Sequence, residues 1–547
     1  MLSKEVKKLK DPIYGYICVD VEYFDNIIDT PVFQRLRRVM QTSYSPLYSS
    51  ALHNRFVHSL GVYYLGTIVS ENIKDSLEKY SICNEIKDQV IRVYRLACLL
   101  HDVGHAPFSH TGEAFYKFYF DDTGEKQLSA KKLHERLSYL VESDEFNKDI
   151  PGESASAAPH EIMSAIVGIS NFRSIIGEND DVELFARCIT GYLYSNKTRQ
   201  NCIKNCFISM LNSKVIDVDR LDYLIRDAYT SGFETINIDY RRLLSSITIR
   251  DYQEKPRLVY TKNALSVIEN VVYAHDAEKK WIQNHPVVMY ETYIIKHMLE
   301  IISDEISDKN HTLFSEKSLS EEGQSFKNGT RISLLCDDDI IYLSKNKYND
   351  DISKEFFHRG ERRHPIWKSE TEYKAYVSNK MTKEQHGLFA ECMFSFVPCD
   401  KPDYIVPIVI NEELYNKVKN EYEKAKENGA DSRAALARRF RICNYLKDYA
   451  TNNGFPFDYL VLPASSFISN FSKDNLKKTL ICIEGTRPTE LNEVCNVLNA
   501  DTNTDTLKMC YLYYRRGSGK DGEEGKITNV FEFCQGLIKA SESSESA

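Results

Sequence analysis

The sequence predicts a mainly α-helical core followed by a smaller α/β domain. At 547 residues the chain is too long for one compact core, and its 42% hydrophobic content is ample for more than one. Up to about residue 310 apolar residues recur at helical spacing, as in Val90, Ile91, Val93, Tyr94, Ala97 and Leu100, and again in Leu221, Leu224, Ile225 and Ala228. After about residue 385 short apolar runs (404–410, 459–462, 479–483 and 509–514) alternate with charged helical patterns at 412–426 and 434–450. That alternation is the mark of a small α/β domain.

The expected division is a helical domain over 1–380, an α/β domain with a candidate regulatory role over 385–520, and a final helix with a disordered tail over 521–547. Within the first domain, 121–158 and 304–330 are expected as insertions. The second is Ser-, Glu- and Lys-rich, which predicts a mobile excursion.

Composition narrows the class. A formal net charge of -9 argues against a dedicated nucleic-acid coat and leaves a local basic cleft open. No apolar run reaches the length of a membrane span, and the start MLSKEVKKLK lacks a signal-peptide core, so no membrane association is expected. The 14 cysteines are scattered through apolar segments, which predicts a reduced, cytoplasmic setting. Cys202 and Cys206 form a CxxxC with no second pair, which weighs against zinc. Gly517-Ser518-Gly519-Lys520 resembles the end of a P-loop, but Tyr514 replaces the upstream glycine and Asp521 the hydroxyl residue. The charged stretch with Arg359, Arg362, Arg363 and Lys368 reads equally as a solvated face or as an interface or polyanion patch.

The chemistry gathers in two places. Seven of the 14 histidines fall in the first 160 residues: His53, His58, His101, His105, His110, His134 and His160. An apolar helix ending at Leu100 delivers His101-Asp102, and His105 and His110 follow directly. Farther on, Asp219, Tyr223 and Asp227 stand at i, i+4 and i+8, one polar stripe on a helix whose other face is apolar. Mixed imidazole and carboxylate donors suit a divalent ion such as Fe, Mn, Zn or Mg. His58, His101, Asp102 and Asp219 offer four ligands, and such an ion lowers the pKa of bound water and polarises a phosphoryl oxygen.

The order His58, His101-Asp102, Asp219 resembles the H…HD…D signature of the HD-domain superfamily. Asp11-Pro12-Ile13-Tyr14-Gly15, the segment Asp29 to Arg37, the segment His53 to Gly61 and the run His101 to His110 resemble the HD-domain deoxynucleoside triphosphate triphosphohydrolases. Within that family the SAM-and-HD-domain dNTP hydrolases are the nearer likeness and the bacterial deoxyguanosine triphosphatases the more distant. The resemblance covers roughly residues 7–300 and, loosely, 330–370.

It implies hydrolysis of a deoxynucleoside triphosphate to deoxynucleoside and triphosphate. Under it, His58, His101, Asp102 and Asp219 hold the metal, and His105, His110 and His160 contact phosphates or move protons. His110 and His160 are the candidates to protonate the leaving 5′ oxygen, and Glu113 and Glu161 orient the imidazoles. Arg55 and Arg220 take phosphate oxygens, Tyr223 lines the phosphate and sugar path, and Gln41 and Asp227 bind the 3′-hydroxyl. Both His134-Glu135 and His160-Glu161 fit one pattern; His160 is preferred because a convincing helix follows it.

Over 273–285 the chain departs from the family: His275 and Gln283 stand where relatives supply an arginine and a tyrosine, and Lys280 and His285 remain for phosphate. Base preference and ribose discrimination stay open. The resemblance also implies an activating nucleotide read by Asp29, Gln34 and Arg37, a homodimer or tetramer, and a nucleotide-depleting role such as antiphage defence. Structurally, Thr30-Pro31 can instead start a helix that Asp29 caps. The competing functions are an HD phosphodiesterase or nucleotidase acting on a cyclic dinucleotide, a monophosphate or single-stranded nucleic acid, and a nucleotide sensor with a vestigial site.

Overall fold

The computed structural model describes residues 5–77, 84–116, 118–120, 126–128, 131–151, 157–213, 215–233, 236–307, 312–346, 351–397, 408–428, 433–464, 476–483, 486–494, 508–517 and 526–542. The chain divides into two compact units, each drawn from three segments. The first comprises 1–278, 299–346 and 469–502, and the second 279–298, 347–468 and 503–547. The tail beyond 542 and most of Gly517–Lys520 lie outside the described residues.

The first unit opens with an antiparallel hairpin, β1 (Val6–Asp11) and β2 (Gly15–Asp20), in register from Val6↔Asp20 to Asp11↔Gly15. Its helical core is α1 (Arg55–Leu77), α2 (Asn84–Leu100), α3 (Pro159–Ile176), α4 (Asn179–Thr190), α5 (Arg199–Leu211) and α6 (Val218–Ser231). α2 packs on α1 and α4, α3 on α4, and α6 on α1.

The apolar periodicity explains these contacts. α2 buries Val90, Val93, Tyr94, Leu96, Ala97 and Leu99, and α6 buries Leu221, Leu224 and Ala228. Each of these valines and leucines contributes about 1.5–3 kcal/mol when fully buried. The ends of α6 are set locally. The Asp217 side chain accepts from the Arg220 N–H at 2.7 Å, and Gly232 closes the helix in the left-handed conformation.

The helical expectation for the first 310 residues misses a second hairpin, β3 (Ile247–Tyr252) and β4 (Lys255–Thr261). Its turn is Gln253-Glu254, with φ of 51° and 63°. Two-residue hairpin turns with both φ positive normally carry Asn-Gly, so the usual sequence signal is missing here. The apolar run at 479–483 does form a strand, Leu480–Cys482, but it lies parallel to β4 in this unit. Segment 304–330, expected to be mobile, is anchored where it is described. Leu313, Phe314 and Leu319 are fully buried, and the Phe314 ring lies 6.1 Å from that of Phe115.

The second unit carries a sheet of four strands in the order 409–410, 459–463, 510–514 and 364–365, every neighbouring pair antiparallel. Around it stand helices 412–428, 433–453 and 530–542, close to the charged helical patterns of the sequence. Most of the run 404–410 lies outside the described residues. The charged stretch 359–368 is largely neither a solvated face nor a polyanion patch. Arg362 and Arg363 are buried, Arg362 pairing with Glu291 at 2.7 Å and Arg363 with Asp458 at 2.7 Å and Glu355 at 3.2 Å. Among the described residues no helix is long and apolar enough to cross a membrane.

The β3–β4 turn generates a prediction. Side chains with a Cβ cost roughly 1–2 kcal/mol each in the left-handed region. Replacing Gln253→Asn together with Glu254→Gly should therefore raise the urea midpoint of the first unfolding transition by about 1 kcal/mol equivalent. An unchanged midpoint would show that the turn carries no strain.

Candidate active site

Three helices converge on one point. α1 brings His58 in its first turn, the end of α2 delivers His101 and Asp102, and the first turn of α6 carries Asp219. The His58 Nε2 lies 3.3 Å from His101 Nε2 and 2.9 Å from Asp219 Oδ1. Asp102 Oδ2 is 3.5 Å from each imidazole Nε2, and Asp219 Oδ1 is 3.5 Å from that of His101.

The outer atoms of both rings are already committed. His58 Nδ1–H donates to Asp222 Oδ2 at 2.7 Å, and His101 Nδ1–H donates to the Cys98 carbonyl at 2.9 Å. When neutral, each ring therefore turns its Nε2 lone pair inward, toward two carboxylate oxygens. Four acceptors without a hydrogen between them repel unless a cation stands among them. This donor set fits a divalent ion of the Fe, Mn, Zn or Mg kind. The same field acts on protonation: burial disfavours the charged His58 ring, but Asp219 and Asp222 outweigh it and push the ring up to about 9.

A second group adjoins the first. His105 Nε2 is 3.4 Å from Asp102 Oδ1, and its ring stacks on His160 with centroids 4.3 Å apart. His110 meets these two rings edge-on at 5.2 and 5.0 Å. One oxygen of Glu113 receives both outer partners: His110 Nδ1 lies at 2.5 Å and His160 Nδ1 at 2.7 Å. Neither ring nitrogen of the fully buried His105 makes a hydrogen bond.

The charges of the stacked pair diverge. For His160 burial opposes the charge, but Glu113 prevails and raises the ring to about 9. Burial first, then Arg55 and the neighbouring histidines, hold His105 well below its ordinary value. Among the described residues these two groups are the places where three or more metal-capable side chains converge.

The loop carrying His105 and His110 is strained and externally braced. Phe108 and Ser109 adopt φ of 57° and 52°. Asp337 accepts from the Phe108 N–H at 2.8 Å and the Met40 N–H at 2.9 Å, and burial raises its carboxyl to about 7. Arg35 donates to the carbonyls of Val103, His105 and Leu335. Gly104 lets α3 approach, since a Cβ there would lie 2.5 Å from the Met163–Ser164 backbone.

The remaining expected residues fall as follows. Arg55 Nη1 donates to Asp102 Oδ2 at 2.7 Å, so its fork is engaged with a carboxylate of the centre. Arg220 Nε donates to Tyr223 Oη at 3.3 Å on the face of α6. Gln41 and Asp227 are both buried and share a neighbour: the Gln41 N–H donates to the His53 carbonyl, and Asp227 Oδ1 is 2.7 Å from His53 Nε2. Gln41 Oε1 has no hydrogen-bond partner among the described residues.

Glu161 does not join Glu113. It accepts from the Ala158 N–H at 2.6 Å and from Asn212 Nδ2 at 2.8 Å, closing the start of α3, and burial raises it to about 7. His134 stacks on Tyr192, apart from the cluster that holds His160. Lys280 and His285 belong to the second unit, where Lys280 pairs with Glu370 at 3.5 Å and His285 Nδ1 accepts from the Val287 N–H. In the candidate nucleotide segment, Gln34 Nε2 donates to the Ile28 carbonyl, Arg37 Nε donates to Gln34 Oε1 at 2.8 Å, and the Arg37 guanidinium lies 3.5 Å over the Phe56 ring. Thr30, not Asp29, stands at the start of the helix that begins at Pro31, and no side chain caps it.

The sequence reading passed over His53, Asp222, Asp337 and Arg35. Asp222 carried a signal: it lies three residues beyond Asp219, inside an acidic run on a half-apolar helix. Asp337 carried none, being 229 residues from Phe108.

Residues 55–190 match the HD domain family, so the chain carries an HD domain that includes His58, His101, Asp102, His105, His110 and His160. More particularly, the chain is similar to deoxynucleoside triphosphate triphosphohydrolase SAMHD1 of Gallus gallus, 24% identical over 78% of this chain and 66% of that protein. It is also similar to an uncharacterised protein of Mycoplasma genitalium (30% identical, 48% of this chain and 52% of that one). An uncharacterised protein of Methanocaldococcus jannaschii is 28% identical over 56% and 51%. The chain spans about half the length of the Mycoplasma genitalium and Methanocaldococcus jannaschii relatives it matches. A crystal structure of a hypothetical protein from Aquifex aeolicus shares the fold, with a TM-score of 0.55 and 18% identity over 98% of this chain and 100% of that one.

The His160–Glu113 pair predicts a pH signature. His160 is raised above its unfolded value of 6.5, so its contribution is fully present below that pH and is lost as pH rises through about 9. Glu113 is held well below the usual carboxylate range by its two imidazoles, against the effect of burial, so its contribution is present above about 4.5 and fades in acid. Glu113→Gln should cost about 2 kcal/mol near pH 6 and much less near pH 10. Thermal melts of both proteins across that range measure it; a difference independent of pH would refute the pairing.

Proposed function

We propose that the chain is a metal-dependent HD phosphohydrolase that converts deoxynucleoside triphosphates to deoxynucleosides and triphosphate. One observation carries the reading: a four-acceptor centre shares Asp102 with a stack of one neutral and one cationic imidazole, and the neutral ring has no hydrogen-bond partner of its own. A divalent ion would supply the positive charge the first group calls for, and a phosphate oxygen the partner that the neutral ring of the second lacks. The similarity to the SAMHD1 proteins supports the choice of triphosphate.

His58, His101, Asp102 and Asp219 would hold the ion, which when bound polarises a phosphoryl oxygen and acidifies water. His105, neutral, offers an N–H to a phosphate oxygen. His160, kept protonated by Glu113, delivers a proton to the 5′ oxygen as the bond to the α-phosphorus breaks. His110 shares that carboxylate from a more exposed position and replenishes the proton from solvent. Arg55 orients Asp102, Arg220 and Tyr223 border the phosphates, and Gln41 with Asp227 receives the sugar 3′-hydroxyl. Depletion of deoxynucleotides by this activity would starve phage replication.

Incubation with Mn²⁺ and a panel of nucleotides tests the reaction. The expected products are deoxynucleoside and triphosphate, with Asp102→Ala losing bound metal and about 100-fold or more of the turnover. Release of monophosphate would favour the phosphodiesterase or nucleotidase reading. A metal-free, inactive wild type that still binds nucleotide would favour a sensor.

The proposal includes an activating nucleotide at Asp29, Gln34 and Arg37. Light scattering alongside turnover should show a nucleotide-promoted dimer or tetramer with a raised rate. Arg37→Ala should lose both effects while retaining its metal. A rate and mass indifferent to every nucleotide would leave these residues a purely structural role.

A further inference from the structure

We propose that Tyr14 is a positioning residue for the metal ligand His58, acting through Asp222; this rests on the metal reading above. The Tyr14 hydroxyl donates to Asp222 Oδ1 at 2.7 Å, and Asp222 Oδ2 takes the His58 Nδ1–H at 2.7 Å. Tyr14 belongs to the turn between β1 and β2, 208 residues from Asp222.

Asp222 has no exposed side-chain surface, so its orientation is decided entirely by protein donors. Arg226 supplies two: Nε reaches Oδ2 at 2.9 Å and Nη2 reaches Oδ1 at 3.0 Å. Both sit in one guanidinium plane on the same helix as Asp222, so this fork alone lets the carboxylate rock about the line joining the two side chains. Tyr14 approaches from another element and fixes the remaining direction. With Oδ1 held, Oδ2 is a stationary acceptor, and the His58 ring that donates to it keeps Nε2 aimed at the centre.

The hairpin turn is itself held in place for this task. Asp11 Oδ1 accepts the N–H groups of Ile13 and Tyr14 at 2.8 and 2.9 Å, while Asp11 Oδ2 accepts from Arg226 Nη1 at 3.0 Å. The Tyr14 ring lies between Tyr64, with centroids 5.0 Å apart, and Tyr240, at 5.3 Å. Gly61, one turn beyond His58, leaves the room: a Cβ there would stand 1.9 Å from Asp222 Oδ1 and 2.5 Å from Arg226 Nη2. Tyr14→Phe removes one oxygen from this arrangement and leaves the ring packing, the Arg226 fork and the His58 donor intact.

The experiment is a Mn²⁺ titration followed by the electron paramagnetic resonance of the free ion, with the Co²⁺ visible spectrum recorded on the same proteins. Tyr14→Phe should bind Mn²⁺ about 10-fold more weakly and shift the Co²⁺ bands. Tyr64→Phe, which loses a hydroxyl from the neighbouring ring, should match wild type in both. Incorporation of 3-fluorotyrosine at position 14, which keeps the hydroxyl, should restore affinity and spectrum. If Tyr14→Phe fails to fold, 3,5-difluorotyrosine at position 14, a stronger hydroxyl donor of nearly the same shape, should shift the Co²⁺ bands, and bands identical to wild type would overturn the role. Affinity and spectrum unchanged in Tyr14→Phe would overturn the positioning role and leave the metal reading standing; a wild type that binds neither ion would overturn both.

Discussion

A carboxylate removed from water must be surrounded by donors, and the first unit is organised around meeting that demand for Asp222. Left alone, the group would cost several kcal/mol. Its partners come from three places: Tyr14 in the N-terminal hairpin, His58 in α1, and Arg226 one turn along α6. Each brings a constraint of its own. The hairpin must fold back onto α6, α1 must approach closely enough to require glycine at position 61, and Arg226 must find a further acceptor in Asp11. Satisfying one buried charge thereby fixes the relative placement of α1 and α6, the helices that carry His58 and Asp219. That placement brings the two side chains to 2.9 Å, where His58 Nε2 faces Asp219 Oδ1.

A second constraint governs the loop after α2. The run from His101 to His110 must leave a helix, present two imidazoles and turn away within a few residues. It does so through two consecutive left-handed residues, Phe108 and Ser109, a conformation that needs outside support. That support comes from Asp337, holding the Phe108 N–H, and from Arg35, holding the carbonyls of Val103 and His105. Both are buried ionisable groups spent on backbone atoms, which makes the loop rigid without touching the imidazoles. Segment 304–330, polar enough to read as an excursion, seats Phe314 against Phe115, and the chain that follows it delivers Asp337.

How far this was legible in the sequence follows from the range of the interactions. Helices α2 and α6 were legible because apolar spacing is local, and so was the gathering of His101, Asp102 and His105, since three side chains within five positions cannot scatter far. His58 and Asp219, 161 residues apart, were joined only by donor chemistry and resemblance, since no local spacing links them. The β3–β4 hairpin was hidden because Gln253-Glu254 is a poor turn dipeptide, and the parallel strand Leu480–Cys482 because nothing in three apolar residues names a partner more than 200 positions earlier. Glu161 was misassigned for a physical reason. At the third position of a helix a glutamate can reach forward to an imidazole or back to an open N–H, and the buried start of α3 favours the second. His53 and Asp337 act only through folded neighbours, so no local pattern marked them.

The two histidine groups differ in a way that neither composition nor spacing could show. In the first, carboxylates face imidazole lone pairs, and the field calls for positive charge. In the second, one glutamate oxygen serves two imidazoles while a third is left neutral in the same stack, so the field has already supplied a proton to one ring and denied it to the next. Environments that drive like residues apart are what separate acid from acceptor in a site. Under the proposed reading this separation sets direction. A substrate phosphate bridging from the metal centre past Asp102 would meet the neutral His105 first and the cationic His160 beyond it, so the proton source stands on the side from which the leaving oxygen departs. Glu113 is then the residue on which directionality turns, because without it the two stacked rings would lose the difference in charge that distinguishes them.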